Sequence, residues 1–245
     1  MKRHLTGTLE HATLIGFQTP ATGVAHLLPA GLRLVQADGM AIWNLAVGHV
    51  RRARPRGLPA CLGLSYTQVA YRLLVEADIA DGTTRRGLYF VRSDTDRHAA
   101  VWTGNLMTDF RLHHSEVQTR HTDKRVEVAV QSDDLAGHLR LQLNADTAVD
   151  EDTPTAAPAV RCEELGLAVH GHQLHTVTAA RVGSDWTPAP FRVSNFRIGL
   201  FDALGLDAQP TDAIRVPRVR YRWTLGGREP LLERDQALLS RPSFA

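Results

Sequence analysis

Lysine is almost missing from this chain of 245 residues: Lys2 and Lys124 are the only two among 28 basic residues, and all the others are arginine. Chemistry that needs a lysine amine therefore has two candidates. Lys124 falls at an expected hairpin tip, where an amine stays solvated and charged, and Lys2 sits at a terminus expected to fray. Cysteine is equally scarce, with Cys61 and Cys162 alone and neither in a CxxC motif. That excludes a disulfide framework and argues against a thiolate zinc centre. No stretch approaches ~18 consecutive apolar residues, the length that spans a bilayer. The opening "MKRHLTGTLEHATLIG" has no apolar run of the kind a signal peptide needs. A reduced, cytoplasmic protein is expected, with no membrane partner. The net charge of +2 is too small to suggest a polyanion. No Walker loop, Rossmann glycine pattern, HExxH motif or serine elbow occurs. "RRARPR", residues 51–56, lacks the aromatic interleaving of a nucleic-acid surface, so no nucleic acid is expected.

What is present suits a protein with a real core: 43% of residues are hydrophobic and 22% charged. "TPATGVAHLLPAGLRL" reads as a short helix that Thr22 caps and Pro29 stops. "MAIWNLAVGHV", Met40 to Val50, reads as a buried strand, and "RRARPRGLPACLG" as a loop broken by Pro and Gly. In "SYTQVAYRLLVEA" the alternation puts Tyr66, Gln68, Ala70 and Arg72 on one face and Thr67, Val69, Tyr71 and Leu73 on the other. Asp81-Gly82 turns the chain into the strand "RRGLYFVRS". Asp94 is placed to cap a helix running to Met107. "HSEVQTRH" and "RVEVAVQS" flank a hairpin tip, and "HLRLQLNA" continues the meander. Residues 146–159 read as a solvated acidic loop, "FRIGLFDALGL" as a short helix and "AIRVPRVRYRWTL" as another strand. Short strands dominate. The expected fold class is mostly β (α+β), a single domain over residues 1–245, with a curved antiparallel sheet closing towards a barrel and a few short outer helices.

Several stretches are similar, in their order and spacing, to a bacterial family of uncharacterised proteins related to acetoacetate decarboxylase. They are "HLLPAGLRLVQADGMAIWNLAVGHVRRARPRGLP", "GLSYTQVAYRLLV", "RGLYFVRSDTD" and "ARVGSDWTPAP". The resemblance covers most of residues 10–200. It implies one domain on a cone-shaped antiparallel barrel with a pocket inside, and by analogy it allows a homo-oligomer. The decarboxylase carries a "YPKK"-like stretch whose first lysine forms a Schiff base with a keto acid, its pKa depressed by the second. The matching stretch here is Phe110-Arg111-Leu112-His113. The nucleophile's place falls on Leu112 and its neighbour's on His113, and leucine cannot form an imine. A "YTE"-like stretch that places a pocket carboxylate becomes Tyr66-Thr67-Gln68, and a second pocket glutamate falls near Asn44.

The resemblance thus implies a pocket lined by Asn44, Tyr66, Gln68, Leu112 and His113. The reading that follows is a barrel binding a small organic molecule, one that can carry a carboxylate, without Schiff-base decarboxylation. A second reading makes His113 a general acid/base in a hydratase, isomerase or lyase step. A third is a scaffold or interaction protein whose barrel is filled by Trp43, Leu112 and Trp102. In a strand, His113 and His114 would point to opposite faces. His170 and His172 would share a face as two metal ligands do, but Gly171 between them equally suits a turn, and a catalytic zinc needs a third ligand. No metal and no cofactor is expected. In "RVRYRW" the apolar Val219, Tyr221 and Trp223 are expected to pack inward, leaving Arg218, Arg220 and Arg222 to solvent or to a carboxylate.

Overall fold

The computed structural model describes residues 3–145, 165–183 and 188–232. In chain order the strands are β1 (Arg3–Pro20), β2 (Arg33–Leu34), β3 (Gln36–Ala37), β4 (Met40–Pro55), β5 (Leu64–Asp78) and β6 (Thr84–Thr95). Helix α1 (His98–Met107) precedes β7 (Leu112–His114), β8 (Glu116–His121), β9 (Arg125–Gln131) and β10 (Leu139–Ala145). Then come β11 (Leu165–His170), β12 (Gln173–Val182), β13 (Ala189–Ile198), α2 (Gly199–Ala203) and β14 (Gln209–Pro230).

Seven strands close a barrel in the order β1-β4-β5-β6-β11-β12-β14, with β14 returning to β1. The pairs are antiparallel except at β6–β11, where Leu88 and Tyr89 run parallel to Gly166 and Leu167. The barrel is therefore mixed, a correction to the purely antiparallel sheet expected. From β14 the sheet continues through β13, β10, β9 and β8, which fold back over the barrel's outer surface.

This double layer explains the sequence of the central strands. On β4, Trp43, Leu45 and Val47 join the core between barrel and outer sheet, as do Val69, Tyr71, Leu73 and Val75 on β5. Val126, Val128 and Val130 of β9 and Leu139, Leu141 and Leu143 of β10 close that core from the other side. The alternate residues of β4 and β5 face the barrel interior. Buried on both faces, these strands read as nearly continuous apolar runs.

Several expectations are revised. Thr22 to Leu28 forms two 3-10 turns, Ala21–Gly23 and Ala25–Leu27, rather than an α-helix. Strand β4 runs on through Arg51 to Pro55, bulging between Val50 and Ala53, where Arg52 has φ 53°. Asp94 does not cap α1, whose N-cap position is Arg97. A bulge sets Tyr71 opposite Arg92 and Arg72 opposite Phe90. Phe90 thus points into the barrel, while Arg92 and Asp94 point towards the outer sheet. There the fully buried Asp94 carboxylate accepts from Arg92 Nη2 at 2.7 Å and from Ser115 Oγ at 2.8 Å. Arg92 Nη1 also reaches Asp134 at 2.9 Å. Pairing a buried charge outweighs capping an exposed helix end. The acidic loop expected at residues 146–159, with Cys162 and Lys2, lies outside the described residues.

Candidate functional site

The barrel encloses a cavity of about 2300 Å³. Its size follows from small side chains on the inner faces. Ala46 stands opposite Ala70, and Gly48 opposite Gln68. A Cβ on Gly48 would lie 2.5 Å from Leu9 Cδ2, so the glycine makes room for an inward leucine. Two polar rungs interrupt this apolar wall. One is Asn44 paired with Arg72, and the other lies around Gln68 and Tyr66. The rungs are four residues apart on β5, roughly 13 Å along the strand at 3.3 Å per residue.

Asn44 is buried, and its Oδ1 accepts a hydrogen bond from Arg72 Nη2. The Arg72 guanidinium lies 5.7 Å from the ring centroid of Phe90, a favourable cation–π arrangement. Burial pushes the Tyr66 phenol up to about 12, so at neutral pH it is a hydrogen-bonding hydroxyl and not a base. Among the described residues, six arginines line the cavity, against one carboxylate, Glu229, which Arg85 Nε contacts at 2.7 Å. Among them is Arg54 of the "RRARPR" stretch, while Arg51 and Arg52 are exposed.

Helix α1 covers one side of the cavity with Ala100, Thr103, Gly104 and Met107, so it is part of the wall rather than an outer ornament. Leu112 lines the cavity beneath it and is 5% exposed. The side chain of Asn105 clamps the Leu112 backbone twice, donating to its carbonyl and accepting from its N–H, both at 2.8 Å. Gly104 has no Cβ because Leu112 Cδ1 would lie 2.1 Å from one.

Asn44, Tyr66, Gln68 and Leu112 thus line the same cavity. His113 does not join them. It is exposed, because Leu112 points inward from β7 and its neighbour points out. His114 is also exposed and stacks on His98, with ring centroids 3.6 Å apart. Trp43 belongs to the core outside the barrel, and Trp102 is 81% exposed on α1. Lys124 is exposed in the turn between β8 and β9. Val219, Tyr221 and Trp223 line the cavity, and Arg218, Arg220 and Arg222 meet solvent.

Arg72 is the cavity residue to which the motif comparison assigned no role, although its place on the Tyr66–Gln68 face was readable from the strand's alternation. The histidines regroup as well. Gly171 has φ 59° and forms a two-residue turn with His172, so His172 leaves the strand face. His170 shares its face with His175 instead, and Asp109 joins them from the α1–β7 loop. Among the described residues no helix is long and apolar enough to cross a membrane.

The fold is similar to that of an acetoacetate decarboxylase-like enzyme from Sphingomonas wittichii RW1, with a TM-score of 0.60 at 15% identity over 94% of this chain and 92% of that one. Acetoacetate decarboxylase from Legionella pneumophila aligns with a TM-score of 0.60 at 11% identity, over 94% of this chain and 87% of that one. The enduracididine biosynthesis enzyme MppR complexed with pyruvate gives 0.59 at 15% identity, over 95% and 91%. Identities this low speak for the fold alone. No curated protein matches the chain by sequence. The profile of one family, described as an uncharacterized conserved protein, matches residues 6–220. With that match covering most of its length, the chain belongs to the DUF2071 family and has an acetoacetate decarboxylase-like fold.

Proposed function

We propose that the barrel binds a small organic acid non-covalently and does not decarboxylate it through a Schiff base. The observation that carries this reading is the Asn44–Arg72 rung inside the cavity. A guanidinium is a natural partner for a carboxylate. Among the described residues that line the cavity, arginines outnumber carboxylates, which favours entry of an anion. Beyond Arg72 the Ala46–Ala70 rung accepts an apolar segment, and Gln68 and Tyr66 offer hydrogen bonds to a polar far end. Leu112, where the resemblance puts the decarboxylase's nucleophile, supplies no amine, and Lys124 is far outside in a solvated turn. MppR, whose fold is similar, forms a complex with pyruvate, itself a small keto acid.

An enzyme using His113 as general acid/base draws no support from an exposed side chain on the far side of β7. A filled-barrel scaffold draws none from an interior that Trp43 and Trp102 do not enter.

A thermal-shift panel of keto acids, hydroxy acids and their amides tests the proposal. At least one acid should stabilise the protein and its amide should not, with about 2.7 kcal/mol expected at 100 times Kd. Arg72→Leu should weaken that acid by roughly 10- to 150-fold, the equivalent of the ~1.5–3 kcal/mol of a charge-assisted hydrogen bond. A panel with no stabilising acid, or equal binding by the variant, would overturn it.

A further inference from the structure

We infer that Asp109, His170 and His175 form a binding site for a divalent transition metal of the zinc, cobalt or nickel class, set beside the cavity. One ligand atom from each residue lies within 4.8 Å of the other two. His170 Nε2 is 2.7 Å from Asp109 Oδ1, and the two imidazole rings are 4.5 Å apart.

The fold creates this grouping through two backbone features. The turn at Gly171 pairs His170 with Gln173 and Ala168 with His175, so the two histidines are diagonal neighbours on one face of the β11–β12 hairpin. Asp109 comes from 61 positions earlier in the chain. Beyond it, Arg111 adopts φ 51°. Phe110 stacks on Phe90 in the cavity wall at 4.2 Å, while Asp109 is directed to the histidines.

Two imidazoles and one carboxylate are a donor set that borderline divalent metals prefer, and three protein ligands leave coordination positions open. Ligands held ~2.0–2.2 Å from one ion stand roughly 3.3–3.6 Å apart in a tetrahedron. The Asp109–His170 hydrogen bond therefore opens slightly on binding, and the widest ligand pair closes by side-chain rotation. Exposure of His170 gives an ion a way in. Arg228, opposite His175 on β14, opposes a cation, but it is exposed and its charge is screened by salt. Phe90, Phe110, Gly166 and Val177 separate the site from the barrel interior and line both. The site and the cavity are thus neighbours with a common wall, and metal binding does not depend on the ligand proposed for the barrel.

Titration of the chelator-stripped, full-length chain with Zn2+ by calorimetry, and with Co2+ by visible absorption, tests the inference. We expect one equivalent to bind with micromolar or tighter Kd, and Co2+ to give the intense bands of a low-coordinate site. His170→Ala and His175→Ala should each weaken binding by ~100-fold or more, since losing even an outer-shell partner costs 10–100-fold. Asp109→Asn nearly preserves side-chain shape and should weaken binding without changing the circular dichroism. His98→Ala, which removes one member of the stacked His98–His114 pair, should leave binding intact. Absence of binding at millimolar Zn2+ overturns the site, as does undiminished binding by the His170→Ala/His175→Ala double variant. Loss of binding in His98→Ala to the same degree as in His175→Ala would also overturn it, by showing that the metal is collected elsewhere.

Discussion

Replacing Leu112 with lysine restores an amine where the resemblance says the chemistry of this fold's decarboxylases belongs, and the cost can be worked out from its surroundings. Leu112 is 5% exposed, lines the cavity and packs against Gly104 of α1. An ammonium group placed there loses hydration, which lowers its pKa. A shift of ~3 units, to roughly 7.4 from 10.4, is typical of such burial. At 1.36 kcal/mol per unit, the folded variant is destabilised by about 4 kcal/mol at pH 7. That is within the stability of an ordinary domain, so Leu112→Lys should still fold. Between pH ~7.4 and ~10.4 the unfolded chain holds the extra proton and the folded chain does not, so stability rises with pH across that window. The gap between variant and wild type in urea unfolding should therefore be widest near pH 7 and narrow towards pH 10. Borohydride treatment with pyruvate should trap a covalent adduct on the variant and none on the wild type, read by intact mass. An adduct on the wild type refutes the claim that the cavity lacks an amine nucleophile. A stability gap that is small and independent of pH refutes the burial of Leu112.

Two other perturbations test how the barrel is held. Asp94→Ala removes a fully buried carboxylate that accepts from Arg92 and Ser115. Breaking such a pair costs ~3–5 kcal/mol, and because Arg92 keeps Asp134 the loss in urea unfolding should fall near ~3 kcal/mol. A loss below ~1 kcal/mol would mean that the ion pair does not join barrel to outer sheet. His121, stacked on His11 at 5.0 Å, is held down at about 4 by burial and then by the charges of His11 and Arg215. The unfolded chain takes up this proton near pH 6.5 and the folded chain only near pH 4, so stability is lost as pH falls through that window. His121→Gln should flatten the stability profile between those values, and an unchanged slope would contradict the buried, neutral imidazole.

How much of this was legible beforehand depended on whether a feature was local. Alternation along "SYTQVAYR" placed Tyr66, Gln68, Ala70 and Arg72 on one face, because successive strand residues must point to opposite sides. The shortage of lysine and the pairing of Leu112 with a nucleophile's position were likewise visible from residue identities. The inward or outward turn of His113 was not, because it depends on the phase of β7, a three-residue strand aligned in parallel with β6. Nor was Asp94's role, because one extra residue in β6 opposite Tyr71 and Arg72 reverses which face the following side chains occupy.

The amino-acid order by itself therefore determined the fold class, the burial of β4 and the alternation of faces that assigned Tyr66, Gln68 and Arg72 to one side of β5. Only the tertiary structure decided that β6 and β11 run parallel, that Arg92 joins Asp94 and Asp134, and that Asp109 meets His170 and His175. Periodicity is a property of neighbours along the chain. Arg92 and Asp94 are two positions apart on β6, but the other contacts join residues tens of positions apart, and bulges and left-handed backbone turns, each worth a single residue, set their geometry.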